Sequence, residues 1–560
     1  MARHAEGIHR RNFLTGGAAA GGAALLTGTA MAAPSAAAEN AASTVSPITS
    51  VGPGDKRYKD LSQGWNQRWA ATPERICLAE TTAQVRSVVQ AAVTAGKRLT
   101  VRSGGHCFED WVYNPEVQVI LDLSRMDRIY YDAEKNAVCV EPGAQLLNLY
   151  ERLYRTWGVT VPAGTCFQVG VGGLVSGGGW GLLCRQLGLV VDHLYGVEVV
   201  CVDADGTASV KVGTRDPGDP NHDLWWAHTG GGGGNFGVVT RFWFRSPGAT
   251  GTNPAKLLPQ PPGEVFLHAT AWPWADMTKD RFARLVKNFG DWHTKNVKAG
   301  TVNDNLTSVL WLNHKSAGYI GMVTQVDATV PDARKILDDY LGAITEGLDV
   351  ANEPMSVPMG EVAAMPELAE PRRMPWLQAT RYIGTTNPTL NDPTFRSDFK
   401  SAYYRRTMPT AHIDEFYKHL TRDDLVNPTA AVQVSSFGGQ VNAVAPDATA
   451  APHREAAYKA AWGLWWNDPA AEEISLRWIR EFYHGVFAAT GGVPVINDLT
   501  DGAYVNYADI DLSDPKYNTS GVPWHDLYYK SGYARLQKVK KAYDPRDFFR
   551  HSQSVKLPTT

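Results

Sequence analysis

The residues best suited to chemistry are a histidine and a cysteine, 60 positions apart, that lie in glycine-rich sequence. His106 follows a β-branched strand and a Gly-Gly turn, and Cys166 stands at the start of a stretch, residues 164–188, that holds nine glycines. An interior glycine costs a helix about 1 kcal/mol relative to alanine, so this stretch is not an ordinary helix. We expect instead that its backbone is shaped to contact a ligand. Successive glycine N–H groups can hold a phosphate, and Arg102 could add a positive charge.

Each of these residues also has an ordinary structural interpretation. A histidine after two glycines is most often a turn residue, and an isolated cysteine is most often a small buried apolar group. No GxGxxG motif opens a helix after the first strand, so the dinucleotide fingerprint is not indicated. The functional interpretation therefore depends on the combination of both residues with the motifs around them.

Four motifs resemble one family. Arg-Ser-Gly-Gly-His at 102–106, Cys-x-x-Val-Gly-Val-Gly-Gly at 166–173, Gly-Gly-Gly-Trp-Gly at 177–181 and Val-Asp-His-Leu at 191–194 are similar to the berberine-bridge-enzyme-like FAD-linked oxidases, which have the vanillyl-alcohol-oxidase fold. The resemblance implies a bicovalent FAD, with His106 joined to the flavin 8α-methyl carbon and Cys166 joined to ring carbon C6. The FAD-binding residues that it implies are Arg102, Ser103, Gly104, Gly105, His106, Cys166, Val171, Gly172, Gly173, Gly177, Gly178, Gly234, Asn235, Gly237, Val238 and Asn506.

The C-terminal sequence carries the same resemblance. Residues 503–509 and 543–550 match the closing motif of the family, and Tyr507 occupies the position of the general base in relatives that oxidise alcohols. A phenol with a pKa near 10 can act as a base only if its anion is stabilised, so we expect a cation or a phenol donor beside Tyr507. The alternative is a structural aromatic residue.

Two further positions follow from a resemblance to the actinobacterial antibiotic-tailoring oxidases of the aclacinomycin oxidoreductase type. Tyr403 matches a second catalytic tyrosine of that group, although a structural aromatic is again the alternative. Trp180 stands where relatives usually carry tyrosine. Because an indole has no titratable hydroxyl, we expect Trp180 to form a larger substrate wall without a role in proton transfer.

The resemblance implies oxidation of a secondary alcohol, or of a CH–CH unit, on a bulky and glycosylated small-molecule natural product. O₂ would be the acceptor and hydrogen peroxide the product. Two other functions stay open: a secreted carbohydrate oxidase, and a flavin-bearing binding or cyclising protein without oxidase turnover.

The N-terminal residues 1–43 read as a twin-arginine signal peptide. His9-Arg10-Arg11-Asn12-Phe13-Leu14 is the motif, and a weakly apolar, Ala/Gly-rich run follows it that is too glycine-rich for a bilayer span. We therefore expect the twin-arginine export machinery to carry the folded protein to an extracellular location. A disordered alanine-rich tail is the alternative.

The composition agrees with an enzyme that has two or three domains. The chain has 560 residues, of which 44% are hydrophobic, and a formal net charge of −3. There is no basic excess that would indicate a nucleic-acid partner and no predicted membrane span. The six cysteines are scattered without CxxC pairs, so no metal site is predicted, and one disulfide stays possible.

The order of predicted elements gives an α+β fold. We expect a PCMH-type FAD-binding domain at 58–247, a substrate-binding domain at 263–495 with an antiparallel sheet flanked by helices, and a segment at 500–557 that returns to the first domain. Apolar periodicity predicts helices over Ala79–Ala95 and His453–Trp466 and a strand over Ala430–Asn442. The proline- and methionine-rich stretch Pro354–Pro375 predicts a long loop that forms a lid or wall of the site.

Overall fold

Sixteen strands of the described part of the chain form three sheets. The computed structural model describes residues 46–385, 389 and 392–559, and the predicted signal peptide at 1–43 lies outside them. From Ser46 onward the chain forms one compact unit. The strands are β1 (Thr49–Val51), β2 (Arg75–Leu78), β3 (Leu99–Arg102), β4 (Val119–Asp122), β5 (Ile129–Asp132), β6 (Ala137–Val140), β7 (Leu194–Val202), β8 (Ala208–Thr214), β9 (Val238–Phe244), β10 (Glu264–Pro273), β11 (Leu306–Asn313), β12 (Tyr319–Asp327), β13 (Arg372–Pro375), β14 (Arg396–Tyr404), β15 (Ala431–Ser436) and β16 (Tyr458–Trp466).

Helices lie between and against these strands. They are α1 (Tyr58–Leu61), α2 (Thr82–Thr94), α3 (Leu146–Trp157), α4 (Val171–Ser176), α5 (Cys184–Leu187), α6 (His222–Ala227), α7 (Lys279–Lys295), α8 (Ala333–Thr345), α9 (Trp376–Thr385), α10 (Thr410–Leu420), α11 (Glu472–Val486), α12 (Trp524–Tyr529) and α13 (Tyr533–Tyr543). Among the residues described, no helix is both long and apolar enough to cross a membrane.

The first sheet has the order β1-β2-β4-β3, with β2, β4 and β3 parallel and β1 antiparallel to β2. Helix α2 confirms the helix predicted over 79–95. Thr81 caps it by accepting a hydrogen bond from the backbone N–H of Gln84 at 3.2 Å, and the chain leaves the helix at Gly96 with φ +62°. The apolar face of α2 joins a core cluster with Leu121 of β4 and Val238 of β9. This cluster joins the first sheet to the second.

The second sheet is antiparallel, with the order β5-β6-β9-β7-β8. Strand β7, which lies between β9 and β8, is buried along its whole length. Strand β9 begins at Val238, directly after a second glycine cluster at residues 230–237, so the sheet fixes the end of that cluster.

The third sheet has seven antiparallel strands in the order β13-β10-β12-β11-β15-β16-β14. Helix α8 packs on β12, and α7 and α11 pack on β16. Trp462 of β16 meets Phe482 and Tyr483 of α11, with ring centroids 6.0 and 5.1 Å apart. The expected antiparallel sheet flanked by helices is confirmed, as is the α+β class.

The helix predicted over His453–Trp466 is wrong, because Tyr458–Trp466 is strand β16. Strand β16 pairs with β15 on one edge and with β14 on the other, and all nine of its residues are buried. A strand buried on both faces lacks the alternation of apolar and polar residues that reveals a strand. Its alanine and tryptophan content is therefore equally compatible with a buried helix segment.

The loop predicted over Pro354–Pro375 is only partly irregular. Met359 and Val362 pair across a tight turn, Pro366–Leu368 forms a 3₁₀ turn, and Arg372–Pro375 is the edge strand β13. A proline at the end of an edge strand is tolerated because an edge residue needs no ladder hydrogen bond from its nitrogen.

The strand predicted over Ala430–Asn442 is shorter than expected. Strand β15 ends at Ser436, and Gly438 and Gly439 then adopt φ values of +78° and +58°. These left-handed conformations are incompatible with a continuing strand, and Gln440–Ala443 forms a 3₁₀ turn instead.

The C-terminal segment packs against the second glycine cluster. Lys540 donates a hydrogen bond from Nζ to the backbone oxygen of Asn235 at 2.8 Å, and the backbone N–H of Val555 donates to Asn235 Oδ1 at 2.9 Å. The Asn235 amide in turn donates to the backbone oxygens of Gly231 and Gly232 at 3.0 and 3.2 Å. Asn235 thus joins the C-terminus to the turn that follows α6.

A buried charged cluster joins three distant stretches of the chain. We call it the acid cluster; its members are Arg68, Glu109, Asp398, Lys400, Arg480, Asp509 and Asp511. Lys400 Nζ donates to Asp509 Oδ1 and to Asp511 Oδ2, each at 2.7 Å. The backbone N–H of Ile510 donates to Glu109 Oε1 at 3.2 Å. The acid cluster thereby links the loop after His106 to β14 and to the stretch after Tyr507.

The acid cluster has four carboxyl groups and three cations. Among the described residues, one oxygen on each of Glu109, Asp398 and Asp509 has no hydrogen-bond partner. Burial raises the pKa of Glu109 well above its usual range, the negative charge of Asp398 adds to this, and Arg68 opposes it. Folding therefore favours the protonated form of the Glu109 carboxyl group.

A raised carboxyl pKa predicts how stability changes with pH. The stability that Glu109 contributes is complete below its unfolded pKa, near 4.5, and is lost as pH rises toward and through the folded pKa. Glu109→Gln removes this titration, so its melting temperature relative to wild type should rise as the pH increases above about 4.5. The measurement is thermal unfolding across pH, with the exposed Glu134→Gln as control. Parallel curves for wild type and Glu109→Gln would show that Glu109 is ionised in the folded state.

Candidate active site

The glycine-rich segments meet at one cavity. The loop that carries His106, the turn that carries Cys166, helix α4, the turn after α6 and residues 504–508 all line it. Fourteen of the residues predicted for the site lie in its wall: Arg102, Ser103, Gly104, Gly105, His106, Cys166, Gly172, Gly173, Trp180, Gly234, Gly237, Val238, Asn506 and Tyr507.

The two loops that carry His106 and Cys166 touch through their backbones. A Cβ added to Gly104 would lie 2.3 Å from the backbone nitrogen of Gly170, and one added to Gly170 would lie 2.1 Å from Ser103 Oγ. Ser103 Oγ also donates to the backbone oxygen of Pro142 at 2.6 Å. Glycine is required on both sides of this contact because no side chain fits between the loops.

His106 is held against an aromatic ring. The imidazole stacks on Trp65 with ring centroids 5.5 Å apart and an interplanar angle of 6°, and the backbone N–H of Trp65 donates to the oxygen of Gly105 at 2.9 Å. Burial lowers the pKa of His106 to about 4, and the nearby charge of Arg102 acts in the same direction. The imidazole is therefore neutral at physiological pH, so one ring nitrogen carries a free lone pair.

Cys166 is a protonated thiol in this environment. Burial raises its pKa to about 12, and the negative charge of Glu361 contributes. All six cysteines lie in the described part of the chain and are free thiols there, so the disulfide that the sequence left possible does not form. The described residues also contain no group of ligands that could hold a metal ion.

Arg102 lines the cavity, but its charge is already paired. Its Nη1 donates to Asp122 Oδ2 at 2.5 Å, and Asp122 is fully buried on the neighbouring strand β4. The positive charge expected from Arg102 is therefore partly compensated by Asp122. Parallel strands β3 and β4 bring the two residues opposite each other in register.

The far end of the cavity is built from the second glycine cluster and the C-terminus. Gly234 and Gly237 adopt φ values of +72° and +153°, and a Cβ on Gly237 would lie 2.6 Å from the backbone oxygen of Val200. The imidazole of His551 stacks on Trp111, with ring centroids 4.3 Å apart. In the described part of the chain neither His551 Nδ1 nor Trp111 Nε1 has a hydrogen-bond partner.

The cation expected beside Tyr507 is Lys459. Its Nζ donates a hydrogen bond to Tyr507 Oη at 3.1 Å, and its side chain comes from β16, between β15 and β14 of the third sheet. Burial lowers the pKa of Lys459 to about 7, although the neighbouring Cys184 and Glu361 oppose this shift. Burial raises the pKa of Tyr507 well above its usual range. The pair thus holds a phenol beside an amine that changes charge near neutral pH.

Three aromatic rings enclose the Lys459 amine. Its Nζ lies 4.0 Å from the ring centroid of Trp180, 4.4 Å from that of Tyr507 and 5.2 Å from that of Tyr504. The ring faces stabilise the ammonium form of a buried lysine. Trp180 is itself fixed, because its Nε1 donates to the backbone oxygen of Ser436 at 3.1 Å.

Tyr403 is not part of the cavity wall. It lies directly opposite Lys459 in the pairing of β14 with β16, but its ring packs between His453 and Phe437, with centroids 4.5 and 5.1 Å away. Its side chain is nearly fully buried, and its ring centroid is 6.1 Å from that of Tyr504. The structure therefore places Tyr403 behind the aromatic enclosure of Lys459.

Comparison with known proteins assigns this site to a family. The model for an FAD binding domain matches residues 73–210, and the model for berberine and berberine-like proteins matches residues 503–556. Aclacinomycin-N/aclacinomycin-A oxidase of Streptomyces galilaeus is 45% identical over 557 residues, which are 98% of this chain and 98% of the relative. The chain belongs to the berberine-bridge-enzyme-like FAD-linked oxidases.

Two further relatives of this FAD-linked oxidase carry names that describe the oxidation of a hexose. Hexose oxidase of Chondrus crispus is 31% identical over 532 residues, covering 90% of this chain and 93% of its own. The crystal structure of a glycopeptide hexose oxidase complexed with teicoplanin has a TM-score of 0.85 and 44% identity, and the match covers 91% of this chain and 99% of that chain. The likeness confirms the expected PCMH-type FAD-binding fold.

The residues of the cavity fit FAD. Gly173 and Gly233 line it, and a Cβ added to either would meet no protein atom within 4 Å, so backbone faces open space there. The unpartnered nitrogens of Trp111 and His551 belong to side chains in the same wall. Glycine backbone at both ends of the cavity would hold the cofactor of this FAD-linked oxidase, with His106 and Cys166 in the wall beside Tyr507.

Four residues predicted to contact FAD lie behind the wall of the cavity. Asn235 braces the turn after α6, and Val171 donates from its backbone N–H to the oxygen of Ala144 at 2.8 Å. Gly177 makes room for Asn506, whose Oδ1 would lie 1.9 Å from an added Cβ, and Gly178 adopts φ +111°. These residues shape the backbone that the lining residues depend on.

Sequence reasoning missed two charged residues of the wall. The expectation of a cation beside Tyr507 was correct, but Lys459 lay inside a stretch interpreted as a helix. Glu361 lies in the stretch Pro354–Pro375, which was expected to form a wall, and no motif singled it out. A single lysine or glutamate within apolar sequence is the signal that could have indicated Lys459 and Glu361, since such residues are rarely buried without a role.

Proposed function

We propose that this FAD-linked oxidase oxidises a secondary alcohol, or a CH–CH unit, on a bulky, glycosylated natural product, with O₂ as acceptor and H₂O₂ as product. The observation that carries the proposal is the Lys459–Tyr507 hydrogen bond, which lies in the same cavity wall as His106 and Cys166. The names of the aclacinomycin oxidase and of the glycopeptide hexose oxidase, both near 45% identical, support a substrate of this class.

The flavin would be attached at both His106 and Cys166. When bound, FAD supplies the redox chemistry: it takes two electrons from the substrate and passes them to O₂. A neutral imidazole is suited to form a bond through its free lone pair, and the low pKa of His106 keeps it in that form. The contact between the two loops keeps both residues in one wall, and two anchors would hold the ring in a cavity open enough for a bulky substrate.

Tyr507 and Lys459 would move the proton. With Lys459 neutral, the contact between Nζ and Tyr507 Oη would run the other way, with the phenol donating to the Nζ lone pair. The phenol proton would then pass to Nζ as the substrate hydroxyl gives its proton to Tyr507 Oη. This transfer needs the neutral amine, which the lowered pKa of Lys459 makes available above about pH 7. The ammonium that forms lies over the Trp180 ring, so Trp180 contributes a cation–π contact in place of a hydroxyl.

Export is also part of the proposal. The motif His9-Arg10-Arg11-Asn12-Phe13-Leu14 in the segment 1–43 supports twin-arginine transport and an extracellular location. That route carries folded proteins, which suits a cofactor that is attached before export.

A carbohydrate oxidase is the second candidate. The hexose oxidase of Chondrus crispus matches 90% of this chain, and a free oligosaccharide would contact the same aromatic wall. A flavin-bearing protein without turnover is the third candidate, and the Lys459–Tyr507 pair weighs against it because a binding protein needs no base.

Attachment of the flavin can be tested by mass. The wild-type polypeptide, denatured, should exceed its apoprotein mass by one FAD, and His106→Ala and Cys166→Ala should each keep flavin bound through the remaining anchor. The double variant should release yellow flavin on denaturation. Cys107→Ala, next to His106 in the same wall, serves as control and should behave as wild type. Flavin that washes off the denatured wild type would disprove double attachment.

The proton transfer predicts a pH dependence of turnover. The wild-type kcat/KM should rise with pH through about 7, as Lys459 loses its proton. Lys459→Met and Tyr507→Phe should each lower kcat/KM by roughly 10²- to 10⁴-fold, the usual contribution of a general base. Lys459→Met should also lose the inflection near pH 7 in kcat, because the pKa of an unassisted Tyr507 lies far higher. The profile is recorded in Glu361→Gln as well, since the pKa of Glu361 is also about 7. The control is the exposed Lys418→Met, and steady-state rates from pH 5 to pH 10 give the result. Retention of the inflection in Lys459→Met would assign it to another group.

The substrate class can be tested with a panel of compounds. Aclacinomycins, teicoplanin, free oligosaccharides and D-glucose would be offered to the wild-type enzyme, with peroxide release and anaerobic bleaching of the flavin as readouts. We expect kcat/KM at least about tenfold higher for a glycosylated natural product than for any free sugar, because more of the substrate is bound. Preference for free oligosaccharides would favour the carbohydrate oxidase. Absence of bleaching by every compound would favour the protein without turnover.

A further inference from the structure

Glu361 lies at the tip of a tight turn that points into the cavity. Met359 and Val362 exchange two backbone hydrogen bonds, of 2.9 and 3.0 Å, with Gly360 and Glu361 between them. Gly360 adopts φ +54°, as a two-residue hairpin turn requires at its first central position. The backbone conformation that presents Glu361 is therefore fixed locally.

The turn is also fixed to the third sheet. Met359 is fully buried against Gly321 of β12, where an added Cβ would lie 2.7 Å from its side chain. Thr389 Oγ1 donates to the backbone oxygen of Gly360 at 3.1 Å. Neither end of the turn can shift without displacing core side chains, so the position of the Glu361 carboxyl group is determined by packing.

The side chain of Glu361 is half-buried in the cavity wall, and the described residues give its carboxyl group no hydrogen bond. Desolvation in the cavity raises its pKa to about 7, and the charge of Lys459 opposes this shift. A carboxyl group that faces a cavity without a protein partner is free to accept hydrogen bonds from a ligand or from water.

We propose that Glu361 recognises the substrate by accepting hydrogen bonds from hydroxyl groups of its glycosyl unit, beside the carbon that is oxidised. The proposal rests on the proposed function, and it adds the residue and the chemical group that select the sugar. Glu361 and Lys459 are the two oppositely charged side chains in the wall near Tyr507. A hydroxyl group of the sugar can donate a hydrogen bond to the carboxylate, which is an acceptor only.

Glu361 is a less suitable base than Tyr507. The hydrogen bond from Lys459 goes to Tyr507 Oη, whereas Glu361 interacts with Lys459 only through charge. A recognition role and a base role differ in kinetics, because loss of recognition raises KM while loss of a base lowers kcat.

The test uses D-glucose and its 2-, 3-, 4- and 6-monodeoxy analogues as probes of the flavin-loaded enzyme. Binding is read from perturbation of the visible flavin spectrum without oxygen, and KM and kcat are read from oxygen consumption. The wild type should bind glucose about 10- to 100-fold more tightly than the analogue that lacks the hydroxyl facing Glu361, which is the loss expected for a hydrogen bond to a charged group. Glu361→Gln should lose this preference, with KM for glucose raised by a similar factor and kcat within about threefold of wild type.

Matched variants separate recognition from structural damage. Glu370→Gln, on the exposed part of the same loop, should leave KM unchanged, and Glu361→Asp should retain part of the preference for glucose. Unchanged flavin content and melting temperature in Glu361→Gln establish that the fold is intact. An unchanged KM in Glu361→Gln, a loss confined to kcat, or no spectral perturbation of the wild type by glucose would each overturn the proposal. If any of these three outcomes is found, turnover of a glycoside in the compound panel would still support the proposed oxidase function.

Discussion

A buried amine beside a phenol is the constraint on which most of the site depends. Removing the Lys459 side chain from water is costly, and the protein offsets that cost with one hydrogen bond to Tyr507 and the faces of three aromatic rings. Each partner is held by a different part of the fold. Strand β16 supplies the lysine, Ser436 of the adjacent β15 anchors Trp180, and the C-terminal segment supplies both tyrosines.

In the acid cluster, behind the cavity, buried charged groups are likewise stabilised by their neighbours. It places charged groups under the loop after His106 and under the stretch after Tyr507, where the Glu109 oxygen accepts from Ile510. Breaking such a network leaves uncompensated buried charge, so these two stretches are strongly coupled in position. The rigidity of the catalytic wall thus comes from buried polar groups as much as from apolar packing.

The parts of the site that glycine builds could be predicted from the sequence, and the parts that tertiary packing builds could not. His106, Cys166 and Tyr507 stand in motifs whose backbone requirements are local, and the structure places all three in one cavity wall. Lys459 is different, because its environment is made by strands that are far apart in sequence. Strand β16 was mistaken for a helix since burial on both faces removes the alternation that reveals strands.

The same limit applies to the charge of Arg102 and to the position of Tyr403. The pairing of Arg102 with Asp122 follows from the parallel register of β3 and β4, and the register of a parallel pair is not visible in either strand alone. Tyr403 shares a strand pair with Lys459, but its ring turns toward His453, and only the packing of side chains decides that direction. Helix α2, by contrast, has its cap, its apolar face and its terminating glycine within one short segment, so its bounds were predicted closely.

The backbone contact between Gly104 and Gly170 would give a doubly attached cofactor a second role. A flavin joined to both His106 and Cys166 would be a cross-link between two points 60 residues apart, comparable to a disulfide that closes a loop of that length. In the chain-entropy model such a closure restricts the unfolded chain by about 4 kcal/mol. Because the loops already touch in the folded protein, the bridge would add little strain to the native state. The attached FAD would then act as a covalent cross-link. The protein that carries it would unfold to a chain with one closed loop instead of a linear chain.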